Sequence, residues 1–114
     1  MIKLELKFKD QVLKKIETEN PEITIGRSPN TDIQIDNLAV SNQHAKIIRK
    51  KNHYTLEDLN STNGTYLNDK KITKATLKHN DVITVGKHNL IIYFKKEAKK
   101  PAQDFGDKTV KVKT

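Results

Sequence analysis

Three polar segments of the chain contain side chains suited to binding an anion. They are Gly26-Arg27, Ser41-Asn42-Gln43-His44 and Asn60-Ser61-Thr62-Asn63-Gly64-Thr65. A phosphate monoester carries about −1.5 to −2 charges and three acceptor oxygens, so its site needs a fixed cation and several short donors. The segments supply that set in Arg27, Ser41, Asn42 and Thr62. Arginine suits the role because its planar guanidinium can donate two parallel hydrogen bonds to phosphate oxygens.

Two residues of the second segment, together with Asp58 just before the third, also suggest hydrolase chemistry, which the surrounding sequence does not favour. Ser41, His44 and Asp58 supply a nucleophile, a base and an orienting acid. A nucleophilic serine normally lies in a strained turn such as Gly-x-Ser-x-Gly, and no such segment surrounds Ser41. His44 also lacks partners at metal-ligand spacing. We therefore expect no catalytic residue, no metal and no cofactor, and a protein that is not an enzyme.

The sequence around these segments alternates between apolar and polar residues. From Ile2 to Phe8, every second residue is apolar and the residues between are charged, as in a strand with one buried face. Shorter β-rich runs separated by turn-forming residues follow at Val12–Thr18, Glu22–Ile25, Ile33–Ile35, Ala45–Arg49, Tyr54–Asp58, Thr65–Leu67, Val82–Val85 and Asn89–Phe94. Many short strands with frequent turns predict an all-β sandwich or barrel.

Taken together, the order and spacing of the three segments resemble the forkhead-associated (FHA) family. The flanking residues agree, with Ile23-Thr24-Ile25 before the first segment and Asp81-Val82-Ile83 followed by Gly86 near the end. The resemblance covers roughly residues 2–94. It implies a β-sandwich of about eleven strands, with loops at one end that bind a phosphothreonine-containing peptide; phosphate recognition by arginines is a known mode of such domains. The partner would be a protein phosphorylated by a Ser/Thr kinase.

The resemblance also assigns roles to individual residues. It implies that Arg27 and Ser41 hold the phosphate, that Asn42 and Thr62 add donors, and that Asn63 bonds the peptide backbone. The residues expected to support the site without touching the ligand are Gly26, His44 and Gly64. In the family, peptide selectivity depends on variable loop residues, here around Leu38–Val40.

Two positions depart from the family pattern. Position 42 is asparagine where arginine is common, so the site has one phosphate-facing cation fewer and should depend more heavily on Arg27. Asn80 stands where the family often has glycine. Asparagine tolerates the left-handed backbone better than most residues, so we expect that turn to form.

The basic charge leaves nucleic-acid binding as the alternative function. The chain has 22 Lys and Arg against 14 Asp and Glu, a formal net charge of +8. Residues 95–114 contain seven basic and three acidic side chains, so half of this excess belongs to the C-terminal segment. Most of the few aromatic residues fall in strand patterns, which leaves no stacking platform for bases. We therefore predict an FHA domain over residues 1–94 and a flexible basic tail or linker over residues 95–114.

The remaining features concern the protein's location and regulation. There is no cysteine and no apolar run long enough to span a membrane, so we expect a cytoplasmic protein, or a nuclear one if the organism is eukaryotic. In the predicted tail, Thr109 has the acidic residue Asp107 two positions before it and the apolar residue Val112 three positions after it. It is a possible phosphorylation site, and the phosphorylated tail could occupy the binding loops of its own molecule or of another.

Overall fold

The computed structural model describes residues 1–94, which form eleven β-strands and no helix. The strands are β1 (Ile2–Phe8), β2 (Gln11–Thr18), β3 (Glu22–Gly26), β4 (Ile33–Gln34), β5 (Ala45–Lys50), β6 (His53–Asp58), β7 (Thr65–Leu67), β8 (Lys70–Ile72), β9 (Lys74–Thr76), β10 (Val82–Val85) and β11 (His88–Phe94). Because residues 1–94 contain no helix, none of them forms one that could cross a membrane. The predicted tail over residues 95–114, including Thr109, lies outside the described residues.

The strands form two sheets. One has six strands in the order β2-β1-β11-β10-β7-β8, and the other has five in the order β4-β3-β5-β6-β9. All the pairings with a defined register are antiparallel except the short pairing of β3 with β4, where Ile25 lies opposite Ile33. This architecture confirms the predicted FHA-type β-sandwich of about eleven strands.

The core lies between the sheets and is built by the alternation seen in the sequence. In β1, Ile2, Leu4 and Leu6 are buried while the charged residues between them are not. The opposite sheet contributes buried residues at the same spacing, among them Ile23 and Ile25. Burying such a side chain contributes about 1.5–3 kcal/mol. The apolar faces therefore hold the sheets together and leave the loops free to carry polar residues.

Strands β8 and β9 are the elements that the alternation pattern did not predict. Their sequences, Lys70–Ile72 and Lys74–Thr76, are rich in lysine and contain few apolar residues. Each lies at the edge of its sheet, where a strand pairs on one side only and needs little apolar character. The predicted turn at Asn80 is confirmed, since this residue has a φ of 73°.

Candidate functional site

Backbone and side-chain hydrogen bonds join the three polar segments at one end of the sandwich. The Arg27 amide donates to the Ser41 carbonyl at 2.9 Å, which ties the first segment to the second. The Thr62 amide donates to the Ser41 hydroxyl oxygen at 3.0 Å, which ties the third segment to the second. Segments far apart in the sequence thus form one continuous polar surface, with Ser41 at its centre.

Gly26 permits the first two segments to approach each other. A Cβ atom at this position would lie 2.1 Å from the Asn42 carbonyl oxygen and 3.1 Å from that of Ser41. Both of these contacts are with backbone atoms, which cannot rotate away. A residue larger than glycine would force the strand end and the loop apart.

Arg27 is half-buried, and neighbouring side chains fix both its backbone and its guanidinium. The Gln34 side-chain amide donates to the Arg27 carbonyl at 3.1 Å. The Arg27 Nε donates to the Asn42 Oδ1 at 3.4 Å. This contact uses one of the five guanidinium N–H donors and leaves the terminal amino groups able to donate to a ligand. Asn42, expected to be a donor at the site, thus also orients the arginine.

The Ser41 hydroxyl and the Thr62 and Asn63 side chains complete the surface. The hydroxyl oxygen of Ser41 accepts from the Thr62 amide, and its own proton remains available to a ligand because a hydroxyl both donates and accepts. Thr62 and Asn63 are exposed. The Asn63 Nδ2 donates to the Ala39 carbonyl at 2.8 Å, a contact that links the third segment to the residues just before the second.

His44 is completely buried beneath the polar surface and bridges two of its loops. Its Nδ1 accepts a hydrogen bond from the Ser41 amide at 3.1 Å. Its Nε2 lies 2.8 Å from the Gly64 carbonyl, and since Nδ1 is an acceptor, Nε2 carries the proton and donates. The structure places His44 inside the loops, where it supports them, and Gly64 has the left-handed φ of 88° expected for its turn.

Asp58 organises the third segment, a role that the sequence did not reveal. Its carboxylate accepts from the Ser61 hydroxyl at 2.5 Å, from the Thr65 hydroxyl at 2.6 Å and from the Ser61 amide at 3.2 Å. Burial tends to raise the pKa of Asp58, but these hydrogen bonds outweigh burial and lower the pKa below its ordinary value. The carboxylate therefore stays ionised and holds the loop by charge-assisted hydrogen bonds.

We predict that Asp58→Asn destabilises the domain by about 1–3 kcal/mol near neutral pH, because the loop hydroxyls lose a charged acceptor. Since the folded-state pKa is lowered, the contribution of Asp58 is fully present above its unfolded pKa and disappears as the pH falls through the folded value. Urea unfolding at neutral and acidic pH measures this. The wild type should lose more stability on acidification than the variant does.

Asp36→Asn is the matched control for that measurement, because Asp36 is exposed and makes no hydrogen bond or ion pair within residues 1–94. It should reproduce the wild-type pH dependence. Equal pH dependence in Asp58→Asn and wild type would contradict the role assigned to Asp58.

Ser41, His44 and Asp58, the residues of the hydrolase alternative, do not form a catalytic triad. Both nitrogens of His44 bind the backbone, of Ser41 and Gly64, and the Asp58 carboxylate accepts from Ser61 and Thr65 instead of the histidine. Within residues 1–94, no group of three or more histidine, cysteine or acidic residues could hold a metal ion. The geometry is that of a polar recognition surface built from loops.

A two-sheet β-sandwich that carries polar loops at one end has the architecture of a recognition domain that binds through its loops. The family model of the FHA domain matches residues 23–86, which is more than half of the chain and includes all three polar segments. The chain belongs to the FHA family, whose members recognise phosphothreonine-containing peptides.

Among curated proteins, the chain is similar to two bacterial regulators. It is 36% identical over 66 residues to the glycogen accumulation regulator GarA of Mycobacterium tuberculosis, covering 58% of this chain and 41% of GarA. It is 34% identical over 73 residues to the oxoglutarate dehydrogenase inhibitor of Corynebacterium diphtheriae, covering 64% of this chain and 51% of that protein. The matched region thus spans about half the length of these relatives.

Solved structures show the same architecture. An FHA domain studied for phosphothreonine-dependent interactions has a TM-score of 0.75 and 26% identity, covering 82% of this chain and 96% of the other. EmbR of Mycobacterium tuberculosis, solved with a low-affinity phosphopeptide, has a TM-score of 0.72 and 26% identity, covering 80% of this chain and 24% of EmbR. Since the match covers only 24% of EmbR, the part of EmbR that resembles this chain belongs to a longer protein.

Proposed function

We propose that the domain binds a phosphothreonine-containing segment of a partner protein at the polar surface of its loops. Arg27 and Ser41 bind the phosphate, Asn42 and Thr62 add donors beside it, and Asn63 bonds the peptide backbone. The observation that carries this assignment is the convergence of an oriented guanidinium and the Ser41 hydroxyl on one surface, held by hydrogen bonds between three separate loops. An arginine and several short donors are what a phosphate dianion requires.

We infer that this binding is regulatory and non-catalytic. The curated relatives are named as a regulator of glycogen accumulation and an inhibitor of oxoglutarate dehydrogenase, and both names describe control of another protein or process. In this chain, a Ser/Thr kinase would create the ligand by phosphorylating the partner, and the domain would bring that partner to its own molecule in the cytoplasm. The comparisons give no support to the nucleic-acid alternative.

Calorimetric titration with matched peptides tests this function. A phosphothreonine peptide should bind in the micromolar range, and the unphosphorylated peptide should show no measurable binding, since it lacks the charge that Arg27 recognises. A phosphoserine peptide should bind at least about fourfold more weakly, because one buried methyl group is worth about 0.8 kcal/mol. Equal binding of phosphorylated and unphosphorylated peptides would refute the proposed function.

A further inference from the structure

The loop residues assigned to the phosphate include a single cation, which leaves none of them to pair with a second anionic group on the peptide. Arg27 is the cation among the residues assigned to the phosphate, and position 42 contributes a neutral asparagine. The ligand would bring about −1.5 to −2 charges. The ionised carboxylate of Asp58 lies directly behind the same loop and adds a negative charge. A further cation close to this loop would therefore be the group that pairs with an acidic side chain beside the phosphothreonine.

Lys71 in β8 lies beside the loop that carries Thr62 and Asn63. A Cβ atom placed on Gly64 would be 2.9 Å from the Lys71 Cε and 3.5 Å from its Cδ. The ammonium nitrogen is one bond of about 1.5 Å beyond the Cε, so it lies within roughly 4.4 Å of that point. The lysine stem reaches the loop because Gly64 has no side chain there.

The neighbouring strand fixes the direction of this side chain. Lys71 pairs with Tyr66 of β7, and side chains of directly opposed residues lie on the same face of a sheet. The Tyr66 Cε1 atom lies 3.5 Å from the same Cβ position on Gly64. The lysine and the tyrosine therefore both flank Gly64. The Lys71 stem therefore lies over Gly64 on the face that it shares with Tyr66, and its ammonium group is close to the third segment.

The charge of Lys71 is not neutralised by any carboxylate within residues 1–94. Lys46 pairs with Glu22 at 3.9 Å and Lys74 pairs with Glu57 at 3.8 Å, whereas Lys71 forms no ion pair in this part of the chain. Lys70 is a natural comparison because it is adjacent, equally charged and exposed. It pairs with Leu67, which packs against the core, so it points away from the face that Lys71 shares with Tyr66.

We propose that Lys71 is a specificity-determining residue that contacts an acidic side chain beside the phosphothreonine of the bound peptide. The proposal rests on the proposed function and goes beyond it by naming a feature of the ligand sequence. The family-matched loop residues bind the phosphothreonine itself. Lys71, on a neighbouring strand, adds a preference for peptides whose flanking sequence carries a negative charge.

The test compares Lys71→Met with Lys70→Met in the full chain. Methionine retains an unbranched stem over Gly64 while removing the charge. The ligands are a phosphothreonine peptide with alanine flanks and peptides in which a single glutamate is moved along both flanks. Wild type and Lys70→Met should prefer at least one glutamate peptide over the alanine peptide by about threefold to fivefold. Lys71→Met should bind the alanine peptide and that preferred glutamate peptide equally.

Several results would overturn the proposal. The specific role of Lys71 is refuted by an absence of glutamate preference in the wild type, by a retained preference in Lys71→Met, or by a lost preference in Lys70→Met. An equal loss of affinity for all peptides in Lys71→Met would mean that the charge acts on the phosphate instead. A wild-type chain that binds none of the phosphopeptides would refute the proposed function itself, a result distinct from the others.

Discussion

Arg27→Ala should abolish measurable binding of a phosphothreonine peptide and leave the fold intact. Removing one partner of a charge-assisted contact to a phosphate costs about 2–5 kcal/mol, which moves a micromolar affinity towards or beyond the millimolar range. The effect should be large here because position 42 is asparagine and gives no substitute charge. Calorimetric titration measures the affinity, and a thermal melt shows whether the domain remains folded.

The chain's other arginine provides the control for this experiment. Arg49 is exposed on β5, and Arg49→Ala should bind the peptide as wild type does. Arg27→Lys is informative as well, because it retains the charge but loses the planar fork and should recover only part of the affinity. Normal binding by Arg27→Ala would show that the phosphate does not contact this residue.

Gly26→Ala should strongly destabilise the domain and weaken peptide binding with it. The added methyl would lie 2.1 Å from the Asn42 carbonyl oxygen, so the end of β3 and the second segment would have to separate. Overpacking of this kind typically costs about 1–3 kcal/mol, and we expect a value at the upper end because the contact is with backbone atoms. The change in the free energy of unfolding can be measured by urea titration.

Gly86→Ala is the matched control, and it makes the prediction specific. Gly86 has a φ of 63°, which disfavours alanine, but the atoms nearest to its added methyl would be side-chain carbons of Val40 and Ala39 at 3.2 and 3.4 Å, with the Ala39 carbonyl carbon at an ordinary contact distance of 3.8 Å. Gly26 has no positive φ. If backbone conformation alone governed these glycines, Gly86→Ala would be the more damaging change. We expect Gly26→Ala to lower the free energy of unfolding more than Gly86→Ala does. A smaller loss for Gly26→Ala would contradict the importance of the close approach between Gly26 and the Asn42 carbonyl.

The strands of the core could be predicted from the sequence because burial imposes a pattern on it. Ile2, Leu4 and Leu6 alternate with charged residues since one face of β1 packs against the other sheet. The strands β8 and β9 lack this pattern since they lie at sheet edges. Their pairing with β7 and β6 depends on tertiary contacts that no short segment encodes.

The candidate site was predictable in its residues but not in its internal connections. Arg27, Ser41 and Thr62 belong to short segments whose composition indicates phosphate chemistry. The hydrogen bonds from Asp58 to Ser61 and Thr65 follow from the local loop conformation, for which the sequence offered only a polar residue at the end of a strand. The position of Lys71 against Gly64 depends on the pairing of β7 with β8, which was itself not predicted.

The buried imidazole of His44 has a consequence for the thermodynamics and kinetics of recognition. Since its ring spans the distance between the Ser41 amide and the Gly64 carbonyl, the separation of the two loops is set when the chain folds, before any peptide arrives. The conformational entropy of ordering these loops is then lost during folding and not during association. Binding should accordingly require little backbone rearrangement, and differences in affinity among peptides should arise mainly in their dissociation rates.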